Sequence, residues 1–166
     1  MHAEETWQIR AAEETDLDAI CRIEEEAFSV PWTRADYEAL LSETMAVFLV
    51  LTDTAGSGHP DPGYAGAVRG YGCIRQAADE GDLLSIAVRP ESRGSGRGSG
   101  LLQALLREAE RKGTRRVFLE VRKSNAAAIA MYEHAGFEKT GVRKRYYTKP
   151  EEDAWMMRWC AGEGKE

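Results

Sequence analysis

Cysteine, histidine and long apolar runs are all scarce in this chain of 166 residues. Its three cysteines, Cys21, Cys73 and Cys160, lie far apart and form no Cys-x-x-Cys pair, which argues against a disulfide framework and for reduced thiols. Three histidines and no His/Cys cluster at ligand spacing predict no metal site. No apolar run approaches the roughly 18 residues of a membrane-spanning helix, so no membrane association is expected.

A secretory signal is also missing. The first residues, Met-His-Ala-Glu-Glu-Thr-Trp, are acidic and lack the basic start and apolar stretch of a signal peptide, which predicts a cytoplasmic protein. The length suits one domain with a full core. We expect that domain at 1–160, followed by a short tail at 161–166, in a monomer or weak dimer.

Positive charge is scarce in the first half of the chain and gathers in one later segment. Residues 1–88 carry 5 Lys/Arg against 17 Asp/Glu, a balance of −12, whereas residues 89–123 carry 10 against 4, a balance of +6. A mostly acidic surface argues against nucleic acid as a partner. It would suit a cationic peptide or amine, although a solvated acidic surface without a partner explains the charge equally well.

The basic segment contains a glycine-rich turn, Arg93 to Gly100, between an apolar run that ends at Val88 and a helical pattern that begins at Leu101. Glycines permit positive φ and close approach to a ligand, and a helix start offers free N–H groups to an anion. No Lys-Ser or Lys-Thr follows the turn, and its evenly spaced glycines do not match Gly-x-Gly-x-x-Gly, which excludes two common nucleotide loops. A pyrophosphate is the natural guest; the alternative is a flexible loop that binds nothing.

Hydrophobic periodicity predicts the order strand, two helices, three strands, helix, strand, helix, strand, strand. Thr15 is the expected N-cap of the first helix and Thr33 that of the second, and the pair Ser124-Asn125 is expected to cap the fourth. Gly81-Asp82 is expected to turn the chain into the central strand. Residues 53–66, rich in Gly, Pro, Ser and Asp, should form a surface loop.

This order predicts an α/β fold with a mixed, mostly antiparallel sheet flanked by helices. A crossover helix joins the strand of Ile86 to the strand of Glu120, so these two should be parallel neighbours at the centre of the sheet. In the second of them, alternation puts Val117, Leu119 and Val121 on one face and leaves Glu120 on the other.

Several segments resemble the GCN5-related N-acetyltransferase (GNAT) family. Arg93-Gly-Ser-Gly-Arg-Gly98 is similar to that family's pyrophosphate-binding motif, Arg/Gln-x-x-Gly-x-Gly. The longest match, Glu-Val-Arg-x-Ser-Asn-Ala-Ala-Ala-Ile-x-x-Tyr, runs from Glu120 to Tyr132. Within the family, the chain is particularly similar to the bacterial enzymes that acetylate an N-terminal alanine of a ribosomal protein.

The resemblance implies acetyl-CoA as the acetyl donor, without a metal, held where the central parallel strands splay apart. One strand would hold the pantetheine and the thioester, the glycine-rich turn would cradle the pyrophosphate, and one residue beyond the next strand would contact the cofactor. The strand residues are Ile86, Ala87 and Val88. The turn residues are Arg93, Gly94, Ser95, Gly96, Arg97, Gly98 and Ser99, and the residue beyond the next strand is Asn125. Glu120 would be the general base and Tyr132 the general acid.

The residue types suit those roles chemically. A protonated amine has no lone pair, so a base must first remove a proton, and Glu120 interrupts an apolar strand in which burial favours the protonated form of a carboxyl. A phenol of pKa near 10 is close enough to a thiol for Tyr132 to protonate the leaving thiolate. The alternatives are a solvent-facing strand glutamate, a core tyrosine and, for Asn125, a plain helix cap.

Among amines, a peptide N-terminus suits this chemistry best. Near pH 7 an α-amino group of pKa about 8 is roughly a tenth neutral, whereas a lysine is neutral in about one molecule in 2,500. The resemblance implies a protein or peptide N-terminus, in particular the N-terminal alanine of a small-subunit ribosomal protein. The candidates for lining a peptide groove are Phe28, Pro31, Trp32, Tyr146 and Tyr147. The alternative is that these residues are structural. A small-molecule amine or lysine acetyltransferase and a non-catalytic acetyl-CoA-binding module stay open as alternatives.

Overall fold

The computed structural model describes residues 7–53 and 67–162. The surface loop expected at 53–66 therefore lies, apart from Asp53, outside the described residues, and so do residues 163–166 of the expected tail.

Strands and helices follow one another in the predicted order, with two short 3-10 turns added at Glu14–Asp16 and Pro90–Ser92. The strands within the described ranges are β1 Trp7–Ala11, β2 Ala46–Asp53, β3 Val68–Ala77, β4 Glu80–Val88, β5 Arg116–Arg122, β6 Glu138–Tyr147 and β7 Glu152–Cys160. The helices are α1 Leu17–Ala27, α2 Arg34–Leu41, α3 Arg97–Arg111 and α4 Ala126–His134.

All of these strands belong to one sheet, in the order β1-β2-β3-β4-β5-β7-β6. Every neighbouring pair is antiparallel except β4 and β5, which confirms the predicted mixed sheet with its central parallel pair. The parallel ladder joins only residues 80–82 to residues 116–118. β4 continues to Val88 and β5 continues to Arg122, but the two strands do not pair with each other beyond this ladder. They therefore separate and leave a gap.

Helices cover both faces of the sheet. On one face, α3 and α4 pack over a cluster that contains Leu105 and Val117. On the other face, α1 and α2 pack over a second cluster that contains Ile20, Tyr37 and Tyr71. The gap between β4 and β5 therefore lies between two packed layers, which hold its walls in place.

The first helix begins later than predicted, and Thr15 is not its N-cap. Residues Glu14–Asp16 form a 3-10 turn, and α1 starts at Leu17. The Asp16 carboxylate, which is 5% exposed, accepts a hydrogen bond from the Glu13 N–H at 2.8 Å. A buried aspartate, not the threonine hydroxyl, therefore organises the entry into this helix. The predicted caps Thr33 and Asn125 are confirmed, since each side chain accepts from a backbone N–H three residues later.

The turn into β4 lies earlier than predicted. Ala78 and Asp79 connect β3 to β4, and Gly81-Asp82 belongs to the strand. A Cβ atom at Gly81 would approach Ile74 Cγ2 to 2.9 Å, so glycine is needed there for close packing between the two strands and not for a turn.

Candidate active site

A cleft of about 550 Å³ opens where β4 and β5 separate. Its walls come from the two strands, from α1 and α4, from the segment that follows α1, and from the end of β6 with the residue after it. Four of the predicted site residues line it: Ile86, Glu120, Asn125 and Tyr132. The structure thus brings the predicted base and the predicted acid into one cavity.

Glu120 projects from the face of β5 opposite to the buried Leu119 and Val121. Its side chain keeps 30% of its accessible surface, and Oε1 accepts a hydrogen bond from Arg143 Nε at 3.2 Å. The burial expected for this carboxylate is therefore only partial. Alternation along the strand correctly predicts its face, and the separation of β4 from β5 leaves that face open to the cleft.

Tyr132 lies on α4 with 8% of its surface exposed, and its ring packs edge-on against Phe137 with centroids 5.7 Å apart. Burial raises the pKa of the Tyr132 phenol, and the neighbouring Tyr147 raises this pKa further. Within the described part of the chain its hydroxyl makes no hydrogen bond. The phenol is therefore a protonated donor at the wall of the cleft.

Beyond residue 82, the edge of β4 that faces β5 pairs with no strand in the described ranges. Its opposite edge pairs with β3 as far as Val88. A strand presents backbone groups along both edges, so N–H and C=O groups of this part of β4 face the gap. The Ile86 side chain lines the cleft, whereas those of Ala87 and Val88 are buried and leave only their backbone for a ligand in the gap.

The glycine-rich turn lies at the start of α3, directly after β4. Gly94 and Gly96 have φ angles of +84° and +78°, a conformation that favours glycine. The helix begins at Arg97, earlier than predicted, because Gly96 is its N-cap and its carbonyl accepts from the Gly100 N–H at 3.0 Å. The N–H groups of residues 97–99 therefore have no intrahelical acceptor and point out of the helix end.

Contacts within the chain hold the two arginines of this turn. Arg93 Nε donates to the Val88 carbonyl at 2.9 Å, which ties the turn to the end of β4. The Arg97 guanidinium stacks on the Trp7 ring, with Cζ 3.2 Å from the ring centroid. Both keep positive charge beside the N-terminus of α3. Of the other predicted residues, Ser95 precedes the N-cap, and Gly98 and Ser99 belong to the first helical turn.

Asn125 lines the cleft, but its side chain is used locally. Its Oδ1 accepts a hydrogen bond from the Ala128 N–H at 3.2 Å, as an N-cap of α4 does. Asn125 is therefore a helix cap, as the alternative interpretation expected. Its contact with a cofactor stays a prediction.

The sequence pattern does not single out a second carboxylate of the cleft, Glu24 of α1. The residue is 2% exposed and lines the cleft. Burial raises the pKa of Glu24, and hydrogen bonds from Trp32, Tyr37 and Ser85 oppose this shift. One signal was present in the sequence: Glu24 follows Ile20 by four residues and so lies on the apolar stripe of its helix.

Aromatic side chains line much of the cleft. Four of the residues predicted for a peptide groove line it, namely Phe28, Trp32, Tyr146 and Tyr147, and Pro31 does not. The Arg122 guanidinium lies 4.5 Å from the Tyr147 ring centroid and donates to the Thr148 carbonyl at 3.0 Å and to Ser29 Oγ at 3.4 Å. Arg122 thereby joins the segment after α1 to the segment after β6.

Other kinds of site find no support among the residues that the structure describes. There, no three His, Cys, Asp or Glu side chains are grouped so as to hold a metal ion. No helix in the same ranges is long and apolar enough to cross a membrane. The three cysteines are free thiols, and burial raises the pKa of Cys73 to about 12.

Comparison with known proteins points to one family. The sequence profile described as Acetyltransferase (GNAT) family matches residues 17–137. The ribosomal protein bS18-alanine N-acetyltransferase of Escherichia coli is 34% identical over 151 residues, which covers 90% of this chain and 94% of that enzyme. The enzyme of the same name from Salmonella typhimurium is 35% identical over 145 residues, which covers 86% of this chain and 90% of that enzyme. The crystal structure of ribosomal-protein-S18-alanine N-acetyltransferase from Escherichia coli has a TM-score of 0.79 at 33% identity, with 97% of this chain and 99% of that chain covered.

Proposed function

The chain belongs to the acetyltransferase (GNAT) family and is an acetyl-CoA-dependent N-acetyltransferase, and we propose that it acetylates the α-amino group of a protein N-terminus. The proposed acceptor is the N-terminal alanine of a small-subunit ribosomal protein in the cytoplasm. The observation that supports this best is the single cleft that contains both Glu120 and Tyr132 at the point where β4 and β5 separate. The choice of acceptor rests on the relatives whose names specify the alanine of ribosomal protein bS18.

In this proposal, the gap between the strands and the start of α3 hold acetyl-CoA together. The free N–H groups of residues 97–99, the glycines at positive φ and the nearby guanidinium groups fit a doubly charged pyrophosphate. Backbone groups of Ile86, Ala87 and Val88 hold the pantetheine arm, and Asn125 contacts the cofactor beyond β5. Bound acetyl-CoA supplies an acetyl group already activated as a thioester, so no nucleophile of the chain is required.

Glu120 and Tyr132 divide the proton transfers between them. Glu120 removes a proton from the α-ammonium group, which is needed because about nine in ten such groups of pKa near 8 are protonated at pH 7. Tyr132 directs its hydroxyl proton towards the thiolate as the carbon–sulfur bond breaks. Backbone N–H groups of β4 that face the gap stabilise the negative charge that develops on the carbonyl oxygen.

Replacing Gly100 by Asp is expected to raise the KM for acetyl-CoA. No atom lies within 4 Å of a Cβ built at Gly100, so the new side chain has room. It adds a negative charge in the first turn of α3, and repulsion of the pyrophosphate by about 1.4–2.8 kcal/mol corresponds to a KM roughly ten- to a hundredfold higher. Steady-state kinetics with varied acetyl-CoA measure this change.

The matched control is Gly100→Asn, which has the same shape without the charge and should leave the KM for acetyl-CoA within about twofold of the original value. Folding should not suffer in the Asp variant, because an acidic residue suits a helix N-terminus and glycine is a poor helix former. If the Asn variant is as impaired as the Asp variant, shape and not charge is responsible, and a pyrophosphate at this turn is contradicted.

The acceptor is tested by comparing amines in one assay with acetyl-CoA. The panel contains a synthetic peptide that begins with alanine, copied from the N-terminus of a small-subunit ribosomal protein. It also contains the same peptide with a blocked N-terminus and an internal lysine, and a polyamine. We expect kcat/KM for the free α-amine to be at least about tenfold higher than for the others, since its neutral fraction is larger. Mass spectrometry identifies the acetylated nitrogen.

The other outcomes select the alternatives. Faster acetylation of the lysine or of the polyamine would replace the proposed acceptor by one of those classes. Binding of acetyl-CoA without turnover of any amine would favour a module that binds the cofactor without catalysis.

A further inference from the structure

A buried carboxylate in the cleft has no role in the chemistry proposed above. Glu24 Oε1 accepts a hydrogen bond from the Trp32 backbone N–H at 3.1 Å. Its Oε2 accepts from the Tyr37 hydroxyl at 2.8 Å, from Ser85 Oγ at 3.2 Å and from the Tyr71 hydroxyl. Five parts of the chain therefore meet at this one side chain: α1, the segment before α2, α2, β3 and β4.

Neutral donors satisfy this carboxylate. Within residues 7–53 and 67–162, no lysine or arginine forms an ion pair with Glu24. A carboxylate has about four acceptor positions, which matches the one N–H and three hydroxyl groups around it. These hydrogen bonds fix the positions of the four donor residues relative to one another.

Two of those neighbours, Trp32 and Ser85, line the cleft and come from different parts of the chain. Ser85 lies in the part of β4 that no longer pairs with β5, next to Ile86. Trp32 ends the segment 28–32, in which Phe28 and Val30 are 39% and 60% exposed and also line the cleft. Glu24 thereby connects this apolar segment to β4 beside the gap.

We propose that Glu24 is a positioning residue for the acceptor. By holding segment 28–32 against β4, it sets the distance between an acceptor that contacts this segment and the acetyl group beside β4. The inference rests on the proposed function, because it needs an acceptor peptide in the cleft. Glu24 acts through Trp32 and Ser85 and needs no contact with either substrate.

A purely structural role makes a different prediction. A carboxylate that only holds the core together would lower the melting temperature when removed and would leave both Michaelis constants unchanged. A positioning residue raises the KM for the acceptor and leaves the KM for acetyl-CoA unchanged, because none of the hydrogen bonds of Glu24 in the described ranges involves the turn at the start of α3.

The experiment compares Glu24→Ala with Glu24→Gln, using the alanine-initiated peptide and acetyl-CoA. Glutamine keeps an oxygen for the Trp32 N–H, and the surrounding hydroxyls can reorient to accept from its amide. We expect the Ala variant to raise the KM for the peptide by about tenfold or more, with the KM for acetyl-CoA within about twofold. The Gln variant should stay within about threefold of the original on both constants.

Leu51→Ala is the matched control for stability. Leu51 lies on β2, is 2% exposed and does not line the cleft. The cavity that Leu51→Ala creates should lower the melting temperature without changing the cleft in which the acceptor would bind. Its Michaelis constants should stay unchanged. If Glu24→Ala does not fold, Ser85→Ala removes only the connection to β4 and should raise the KM for the peptide by about threefold.

The outcomes separate this inference from the function on which it rests. Unchanged peptide KM in Glu24→Ala or, if that variant does not fold, in Ser85→Ala would overturn the positioning role. A Gln variant as impaired as the Ala variant would also overturn it, since charge and not geometry would then matter. If the unaltered chain turns over no peptide, the proposed function fails and the inference falls with it.

Discussion

Changing Glu120 to Gln should lower kcat for an alanine-initiated peptide by about 10²–10⁴-fold, the usual effect of removing a general base. Glutamine keeps the shape of the side chain and can still accept from Arg143 Nε, which lies 3.2 Å from Glu120 in the unaltered chain. What it loses is the ability to take a proton from the ammonium group. Release of free thiol at saturating acetyl-CoA measures kcat, and calorimetric affinity for acetyl-CoA should stay within about twofold.

The defect should shrink as the pH rises. Above a pKa of about 8 the α-amine gives up its proton to water, so the variant should approach the unaltered rate at alkaline pH. Glu138→Gln makes the same chemical change at an exposed position of β6 and should leave the rate unchanged. A Glu120→Gln chain as fast as the original at pH 7 would show that Glu120 is not the base.

The order of elements and the parallel strand pair are predictable because their signals are local. Alternation from Val117 to Val121 identifies β5 and its buried face, and Thr33 and Asn125 mark helix starts with the side chains that cap them. The crossover rule then makes β4 and β5 parallel neighbours. These features need no knowledge of distant contacts, and the structure confirms them.

Boundaries that depend on tertiary contacts are not predictable in the same way. Gly81 reads as a turn residue, but its role is to let β4 approach Ile74 of β3. Residues 97–100 include two glycines and a serine, which are poor helix formers, and this composition favours a turn. The helix nevertheless starts at Arg97, because burial of Leu101 and Leu105 stabilises a helix that extends backwards to the Gly96 cap.

The same distinction applies to the cleft. Ile86, Glu120 and Tyr132 come from motifs with fixed spacing, and the structure brings all three to one cavity. Glu24 looks like one more charge in an acidic helix, and its buried partners Tyr37 and Ser85 come from other elements at separations that no local pattern reveals. Likewise, alternation indicates which face of β5 carries Glu120, but only the separation of the strands determines how open that face is.

Changing Tyr132 to Phe should lower kcat by about 10–10³-fold, less than the loss at Glu120. The pKa of Tyr132 is raised by burial, so the phenol stays protonated well above pH 10 and tyrosine ionisation should cause no loss of rate below that pH. The same shift makes the phenol a weaker acid than usual, which limits how far its proton moves towards a thiolate of pKa about 8.5. A hydrogen-bond donor of this strength contributes less than a base that takes up a full proton.

The variant also separates chemistry from stability. The hydroxyl of Tyr132 makes no hydrogen bond within the described residues, and Phe retains the edge-on contact with Phe137, so the melting temperature should hardly change. Tyr147→Phe is the matched control, because burial raises the pKa of that second cleft phenol to about 12. If Tyr147→Phe lowers kcat more than Tyr132→Phe does, the phenol that protonates the leaving group belongs to β6 and not to α4.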